Sequence, residues 1–149
     1  MRVAIGSDHA GFELKEHLKE FIAAAGHSVL DLGTDSTEAV DYPDFSAAVG
    51  RAVLADRADR GIVVCGSGAG AAIAANKLDG IRCAQAGETY TAHQAVEHDD
   101  INVLALAARV TGVAVIEEIV VAYLNAEFQQ EERLVRRLNK VLEIERTHS

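Results

Sequence analysis

The sequence predicts an α/β fold, a three-layer αβα sandwich around a five-stranded parallel sheet. Two observations carry this. Short apolar runs alternate with amphipathic helical patterns along the whole chain, the signature of repeated βαβ units. The best strand in the chain, residues 61–65 (GIVVC), has no polar residue on either face, as a strand buried on both sides requires.

The elements follow in order. Residues 2–6 (RVAIG) are a short β-branched run closed by glycine and read as the first strand. Residues 12–25 place Leu14, Leu18, Phe21 and Ile22 at i, i+4, i+7 and i+8, one helical face, and Gly26 stops it. Residues 28–32 read as a second strand closed by Gly33. Pro43 suits a first helical turn, and residues 45–54 continue as a helix. The third strand, 61–65, runs into a glycine loop, 66–70 (GSGAG), and a short Ala-rich helix ending near Asn76. Residues 81–86 and 101–107 (INVLALA) read as the fourth and fifth strands, with a helix over 89–97 between them. Helices over 113–124 and 131–146 complete the chain. The last places Leu134, Leu138, Val141 and Leu142 on one face opposite a charged one, which suits packing on its own domain or on a partner subunit.

At 149 residues, with one proline and no repeat or linker, the chain reads as one domain over 1–149. A hydrophobic share of 49% with 25% charged residues builds a core and excludes disorder. Lys+Arg 14 against Asp+Glu 23 gives −9, which speaks against a nucleic-acid surface. A few local arginines can still hold a small anion. Two cysteines are too few for a disulfide scaffold and fit a reducing compartment. No run approaches the roughly 18 apolar residues of a membrane span, and the apolar start is too short for a signal peptide. A cytoplasmic protein with no membrane partner is expected.

In such folds ligands sit beyond the carboxyl ends of the strands. Ser7, Asp8 and His9 follow the first strand; Asp41 and Tyr42 come after the second; Cys65 ends the third; the fourth leads to residues 85–88; Arg109 follows the fifth. His98, Asp99 and Asp100 precede the fifth and are expected at the same rim. The loop Gly66-Ser67-Gly68-Ala69-Gly70 stands between a strand and a helix N-terminus, where free N–H groups suit phosphate or a developing oxyanion. It lacks the dinucleotide spacing and the Gly-Lys ending of a P-loop. A lone cysteine is ordinarily a small buried hydrophobe. Beside this loop, Cys65 becomes a candidate base or nucleophile, with Ser67 able to donate to it. Cys83 reads as core. His17, His27, His93 and His148 read as surface residues, and only His93 and Glu97 have helical metal-ligand spacing, without a third ligand. No metal is expected. Arg133, Arg136 and Arg137 share a helix and suit either a solvated face or a phosphate.

Together these segments resemble the ribose-5-phosphate isomerase B family, which includes allose-6-phosphate and galactose-6-phosphate isomerases. The resembling stretches run from Gly6-Ser7-Asp8-His9-Ala10-Gly11-Phe12, Leu14-Lys15 and Asp41-Tyr42-Pro43 through Cys65-Gly66-Ser67-Gly68-Ala69-Gly70 and Ala74-Ala75-Asn76-Lys77. They continue with Gly80-Ile81-Arg82, then His98, Asn102-Val103-Leu104 and Arg109-Val110. The resemblance implies a flavodoxin-like fold and a homodimer, with tetramers possible, whose active sites are shared between chains. It implies a metal-free, cofactor-free aldose–ketose isomerase acting on a small phosphorylated sugar, as in the pentose phosphate pathway. Cys65 matches the base that moves a proton between C2 and C1, and Ser67 the hydroxyl beside it. The N–H groups of Gly66, Gly68, Ala69 and Gly70 match enediolate donors. Asp8 and His98 match residues tied to ring opening. His9, Tyr42, Arg109, Arg133 and Arg137 match hydroxyl- or phosphate-contacting positions. Asp99 stands where the family often has Asn, exchanging a donor for an acceptor, and Leu134 where it often has His.

Three other readings stand beside this. A phospho-acceptor receiver domain would need an aspartate where Cys65 stands and a lysine after the fifth strand, where Ala107-Ala108-Arg109 stands. An isomerase of a six-carbon phosphosugar would keep the same machinery. A non-catalytic phosphosugar-binding subunit would not need Cys65, Ser67 and His98.

Overall fold

The computed structural model describes residues 1–148. The strands are β1 (Arg2–Ser7), β2 (Ser28–Asp31), β3 (Arg60–Cys65), β4 (Cys83–Gln85) and β5 (Val103–Ala107), and the helices are α1 (Phe12–Ala24), α2 (Tyr42–Leu54), α3 (Ala69–Ala75), α4 (Thr89–Asp99), α5 (Val113–Asn125) and α6 (Glu132–His148). All strand pairs are parallel, in the order β2-β1-β3-β5-β4.

That order dictates the layers. A parallel crossover is right-handed, so the direction of each step along the sheet fixes the face its helix covers. The steps β1→β2 and β4→β5 run one way, and their helices α1 and α4 share a face with α5. The steps β2→β3 and β3→β4 run the other way, and α2 and α3 lie on the opposite face. Side chains divide accordingly. Val3, Ile5, Ile62, Val64, Leu104 and Leu106 meet the three-helix layer, whereas Ala4, Val63, Cys65 and Ala105 meet the two-helix layer. The small residues draw α2 down onto the sheet: a Cβ on Gly6 would lie 2.7 Å from Val49 Cγ2, and one on Gly61 2.6 Å from Val49 Cγ1.

At the amino ends of the strands, Arg60 closes α5. Its guanidinium donates to the carbonyls of Tyr123 and Ala126 and lies 5.3 Å over the Tyr123 ring. The Tyr123 hydroxyl donates to Gly61 O at 3.1 Å, and burial pushes its pKa upward. The chain then turns, with Gln129 N donating to Glu97 O at 2.9 Å, and α6 runs along its own chain, anchored by the buried Leu134. No described helix is long and apolar enough to cross a membrane.

Three elements differ from the sequence reading. α2 starts at Tyr42, with Pro43 in its first turn. β4 has three residues: just before it Asn102 Oδ1 accepts from Arg82 N, and along its free edge the Asn76 amide pairs with both Cys83 N and Cys83 O at 2.8 Å. α4 extends through Asp99, so His98 and Asp99 lie in its last turn.

Candidate active site

The connection after β1 leads to one face of the sheet and that after β3 to the other, so the chain parts between these strands at their carboxyl ends. Such a switch point leaves a crevice. A cleft of about 390 Å³ occupies it, lined by Asp8, His9, Ala10, Tyr42, Cys65, Gly66, Ser67, Gly70, Arg109 and Val110.

The floor is the glycine loop. Cys65 is the last residue of β3 and buried, and Gly68 N donates to its Sγ at 3.2 Å. Gly68 has φ +80°, a conformation only glycine adopts without strain. Ala69 N donates to Ser67 Oγ at 3.3 Å, which leaves the Ser67 hydroxyl proton available. The other glycines are where the walls descend. A Cβ on Gly70 would lie 2.8 Å from the Tyr42 ring, and one on Gly66 3.3 Å from Arg109 Cδ. Arg109 N donates to Gly66 O at 2.9 Å, tying the β5 loop to the floor.

The buried Asp8 caps the turn after β1, its Oδ1 accepting from Gly11 N at 3.1 Å. Val40 N donates to His9 Nδ1 at 3.1 Å. A backbone N–H can only donate, so Nδ1 accepts, and the proton of the neutral ring sits on Nε2. The loop supplying Val40 is anchored at its base by the fully buried Lys15, whose Nζ reaches Asp31 Oδ2 at 2.8 Å. Burial works against the Asp31 carboxylate, but hydrogen bonds from Lys15, Lys19 and Gly33 N overcome it and hold its pKa below the usual value. The Lys15 stem fills the space above Gly33, where a Cβ would lie 2.5 Å from Lys15 Cδ.

The expectation of a single rim is corrected for His98, Asp99 and Asp100. α4 runs back across the sheet between β4 and β5, so its last turn lies at the amino ends of the strands. Arg82 marks the place, donating from Nε to Asp100 O at 2.7 Å and pairing with Asp100 Oδ2 at 3.0 Å. Five residues of β5, roughly 16 Å of strand, separate this rim from the cleft. α6 adjoins the same amino rim, with Arg133 and Arg137 exposed on it and Arg133 Nε paired with Glu131 Oε2 at 3.0 Å. Within one chain, then, Asp8, His9, Tyr42, Cys65, Gly66, Ser67, Gly70 and Arg109 come together, with Gly68 and Ala69 in the same loop. His98, Asp99, Arg133 and Arg137 stand apart from them. Leu134, at 1% exposure, is an anchor of α6 and not a lining residue.

Beneath α6 at the amino rim is a second cleft of about 510 Å³, with Ile81, Ile101, Leu138, Val141 and Leu142 in its walls. Cys83 also lines it; this thiol is partly buried, and desolvation pushes it up to about 12. Of the histidines read as surface residues, His17 bonds to Glu117 Oε1 at 2.6 Å and His93 to Glu97 Oε2 at 3.1 Å. Among the described residues no group of three or more His, Cys, Asp or Glu could hold a metal ion.

Two contacts at the site have no sequence signature. One is the Val40 amide on His9. The other is Gln85, whose Nε2 donates to Ser67 O at 2.5 Å. Gln85 reaches the loop from β4, on the far side of β5 from β3, because these strands end at the same rim.

Known proteins with this arrangement are close. The Ribose/Galactose Isomerase family model matches residues 3–141. Ribose-5-phosphate isomerase B of Escherichia coli (strain K12) is 41% identical over 128 residues, covering 86% of either chain. The structure of Clostridium thermocellum ribose-5-phosphate isomerase B superposes with a TM-score of 0.97 at 46% identity, covering 100% of both chains. That of ribose-5-phosphate isomerase B from Mycoplasma genitalium, with bound ribulose-5-phosphate, gives 0.92 at 36% identity over 97% of this chain and 96% of that one. With sequence and fold in agreement over nearly its whole length, the chain belongs to the Ribose/Galactose Isomerase family.

Proposed function

We propose that the protein is a metal-free aldose–ketose isomerase interconverting ribose 5-phosphate and ribulose 5-phosphate, with Cys65 as the base. The observation that carries this is the buried Sγ at the floor of the switch-point cleft, bonded by Gly68 N–H at 3.2 Å. The Cys65 thiolate removes the proton from C2 of the open aldose. The electron pair forms the C1–C2 double bond and negative charge moves onto O1. Return of the proton from sulfur to C1, with transfer of the O2 proton to O1, leaves the ketose. Loop N–H groups and the Ser67 hydroxyl stabilise the charged oxygens, a contribution of roughly 3–4 kcal/mol for a well-placed donor. The His9 Nε2–H and Arg109 contact substrate oxygens, and Tyr42 walls the cleft. A phosphate held away from the reacting carbons supplies binding energy that the transition state can use.

Ring opening needs an acid near Asp8, and the phosphate needs cations. His98 with Asp99, and Arg133 with Arg137, fit those roles, but they stand on the opposite rim of their own chain. A homodimer in which one chain's amino rim faces the other's carboxyl rim resolves this, and it suits the apolar face that α6 leaves exposed at Val141 and Ile144. Such an enzyme would work in the cytoplasm. A six-carbon phosphosugar is the second reading, favoured by one observation: the matching family model covers galactose as well as ribose isomerases. Steady-state kinetics on five- and six-carbon aldose phosphates, with and without EDTA, test both. Ribose 5-phosphate should give the highest kcat/KM, unchanged by EDTA. Preference for a six-carbon substrate, or loss with EDTA restored by zinc, would overturn the corresponding claim.

A further inference from the structure

Gln85 belongs to no motif in the sequence and does not line the cleft. It is the last residue of β4, exposed at the sheet edge. Its side chain nonetheless reaches the glycine loop, where Nε2 donates to the carbonyl of Ser67 at 2.5 Å. The Ser67 carbonyl and the Gly68 N–H belong to one peptide unit. That unit is planar and trans, so its C=O and N–H point in opposite directions, and fixing one end fixes the other. The far end is the N–H that donates to Cys65 Sγ at 3.2 Å.

This peptide has an alternative orientation. Turns of opposite central-peptide orientation differ by a rotation of that one unit, and a glycine at positive φ makes the rotation accessible. Gly68 has φ +80°. The peptides on either side are held independently: Arg109 N donates to Gly66 O at 2.9 Å and Ala69 N to Ser67 Oγ at 3.3 Å. Neither bond acts on the 67–68 unit. Gln85 does, and it also packs against the turn, its side chain lying 3.2 Å from where a Gly68 Cβ would stand. A donor on the carbonyl further polarises the amide, which strengthens the bond its N–H makes at the other end.

We infer that Gln85 is a positioning residue for the proton-transfer step, holding the Ser67–Gly68 peptide so that its N–H points at Cys65 Sγ. The inference rests on the proposed role of Cys65 as base. It does not touch substrate or require any contact beyond those present in the chain. Without Gln85 the peptide samples the flipped orientation, and the thiolate loses its donor for part of the time.

Gln85→Leu keeps side-chain volume against Gly68 and removes the donor; Gln85→Glu keeps the shape and sets a carboxylate against the carbonyl. The position is exposed, and thermal unfolding of each variant establishes that it is folded. Alkylation of Cys65 by iodoacetamide, followed by peptide mass spectrometry across pH, reads the thiolate directly and needs no turnover. In both variants the neutral-pH alkylation rate should fall by about tenfold, the lower end of what a hydrogen bond to a charged group is worth. The profile should move to higher pH. Turnover should fall by a similar factor while KM changes less than about twofold, the pattern of a loss confined to the chemical step. Alkylation profiles that superimpose on wild type in either folded variant would overturn the inference. Failure of the base assignment looks different: Cys65→Ala would stay active while the Gln85 variants still shifted alkylation.

Discussion

The two rims of the sheet are built in opposite ways. At the carboxyl rim the cleft is polar, and its backbone is held by paired contacts: Gly68 N on Cys65 Sγ, Arg109 N on Gly66 O, Val40 N on His9. At the amino rim the larger cleft under α6 is walled by Ile81, Ile101, Leu138, Val141 and Leu142, and Ile144 is 61% exposed. The first resembles a preorganised reaction site, the second a surface that has not finished burying its apolar groups. Yet His98, Asp99, Arg133 and Arg137 belong to the second region. The contrast teaches that the candidate site residues of this chain fall into two groups, one at each end of its strands, and that no side-chain movement within the chain brings them together.

The largest expected effect is at the polar rim. Cys65→Ala should lower kcat by at least about 10²-fold, the low end of what a general base contributes, with thermal unfolding close to wild type. Cys83→Ala, at the apolar rim, should retain most activity. If the two cysteine variants lost activity equally, the functional contrast between the rims would collapse. Next comes His98→Asn, which should cost roughly 10²-fold in kcat/KM on ribose 5-phosphate, the worth of a positioned acid. Erythrose 4-phosphate cannot close a furanose ring, because its O4 carries the phosphate. It should lose much less, each substrate being compared with its own wild-type value. Equal losses would remove His98 from ring opening.

The smallest effect is a pH dependence at the apolar rim. Burial pushes the Cys83 thiol from 9.0 up to about 12 in the fold. Between these values the unfolded chain has released the proton and the folded chain has kept it. The unfolded state therefore binds fewer protons, and stability falls as pH rises through this window. Below it the thiol is protonated in both states and contributes nothing to the pH dependence. Urea midpoints should fall less steeply on the alkaline side in Cys83→Ala than in wild type; parallel slopes would show that Cys83 does not titrate differently on folding.

How far the sequence foretold this differs by rim. Residues 61–65 announced a central strand because apolar side chains on both faces leave no other place for them. The Leu14–Leu18–Ile22 face announced α1 by its period. Asp8, His9, Tyr42, Cys65 and Arg109 were legible as neighbours because each follows a strand or opens the helix after one. His98 and Asp99 are near a strand in sequence but not at its carboxyl end, because a residue preceding a parallel strand falls at the opposite end. The fourth strand was legible over 81–86, but its restriction to Cys83–Gln85 was not, since it turns on local geometry in which the Asn102 side chain takes Arg82 N. Nor could Gln85 or the Val40 amide, since their contacts involve main-chain groups, which every residue has and no motif marks.

The split site is the central claim, and one mixing experiment tests it most directly. Cys65→Ala and His98→Asn chains are each expected to be nearly inactive alone. Combined in equal amounts and allowed to exchange, half of the dimers pair one of each. In a two-fold dimer with shared sites, each such pair holds one intact site, with Cys65 from one chain and His98 from the other. The account predicts recovery to about a quarter of wild-type activity. Heterodimers demonstrated by mass spectrometry and still inactive would place both residues in the site of one chain and contradict it.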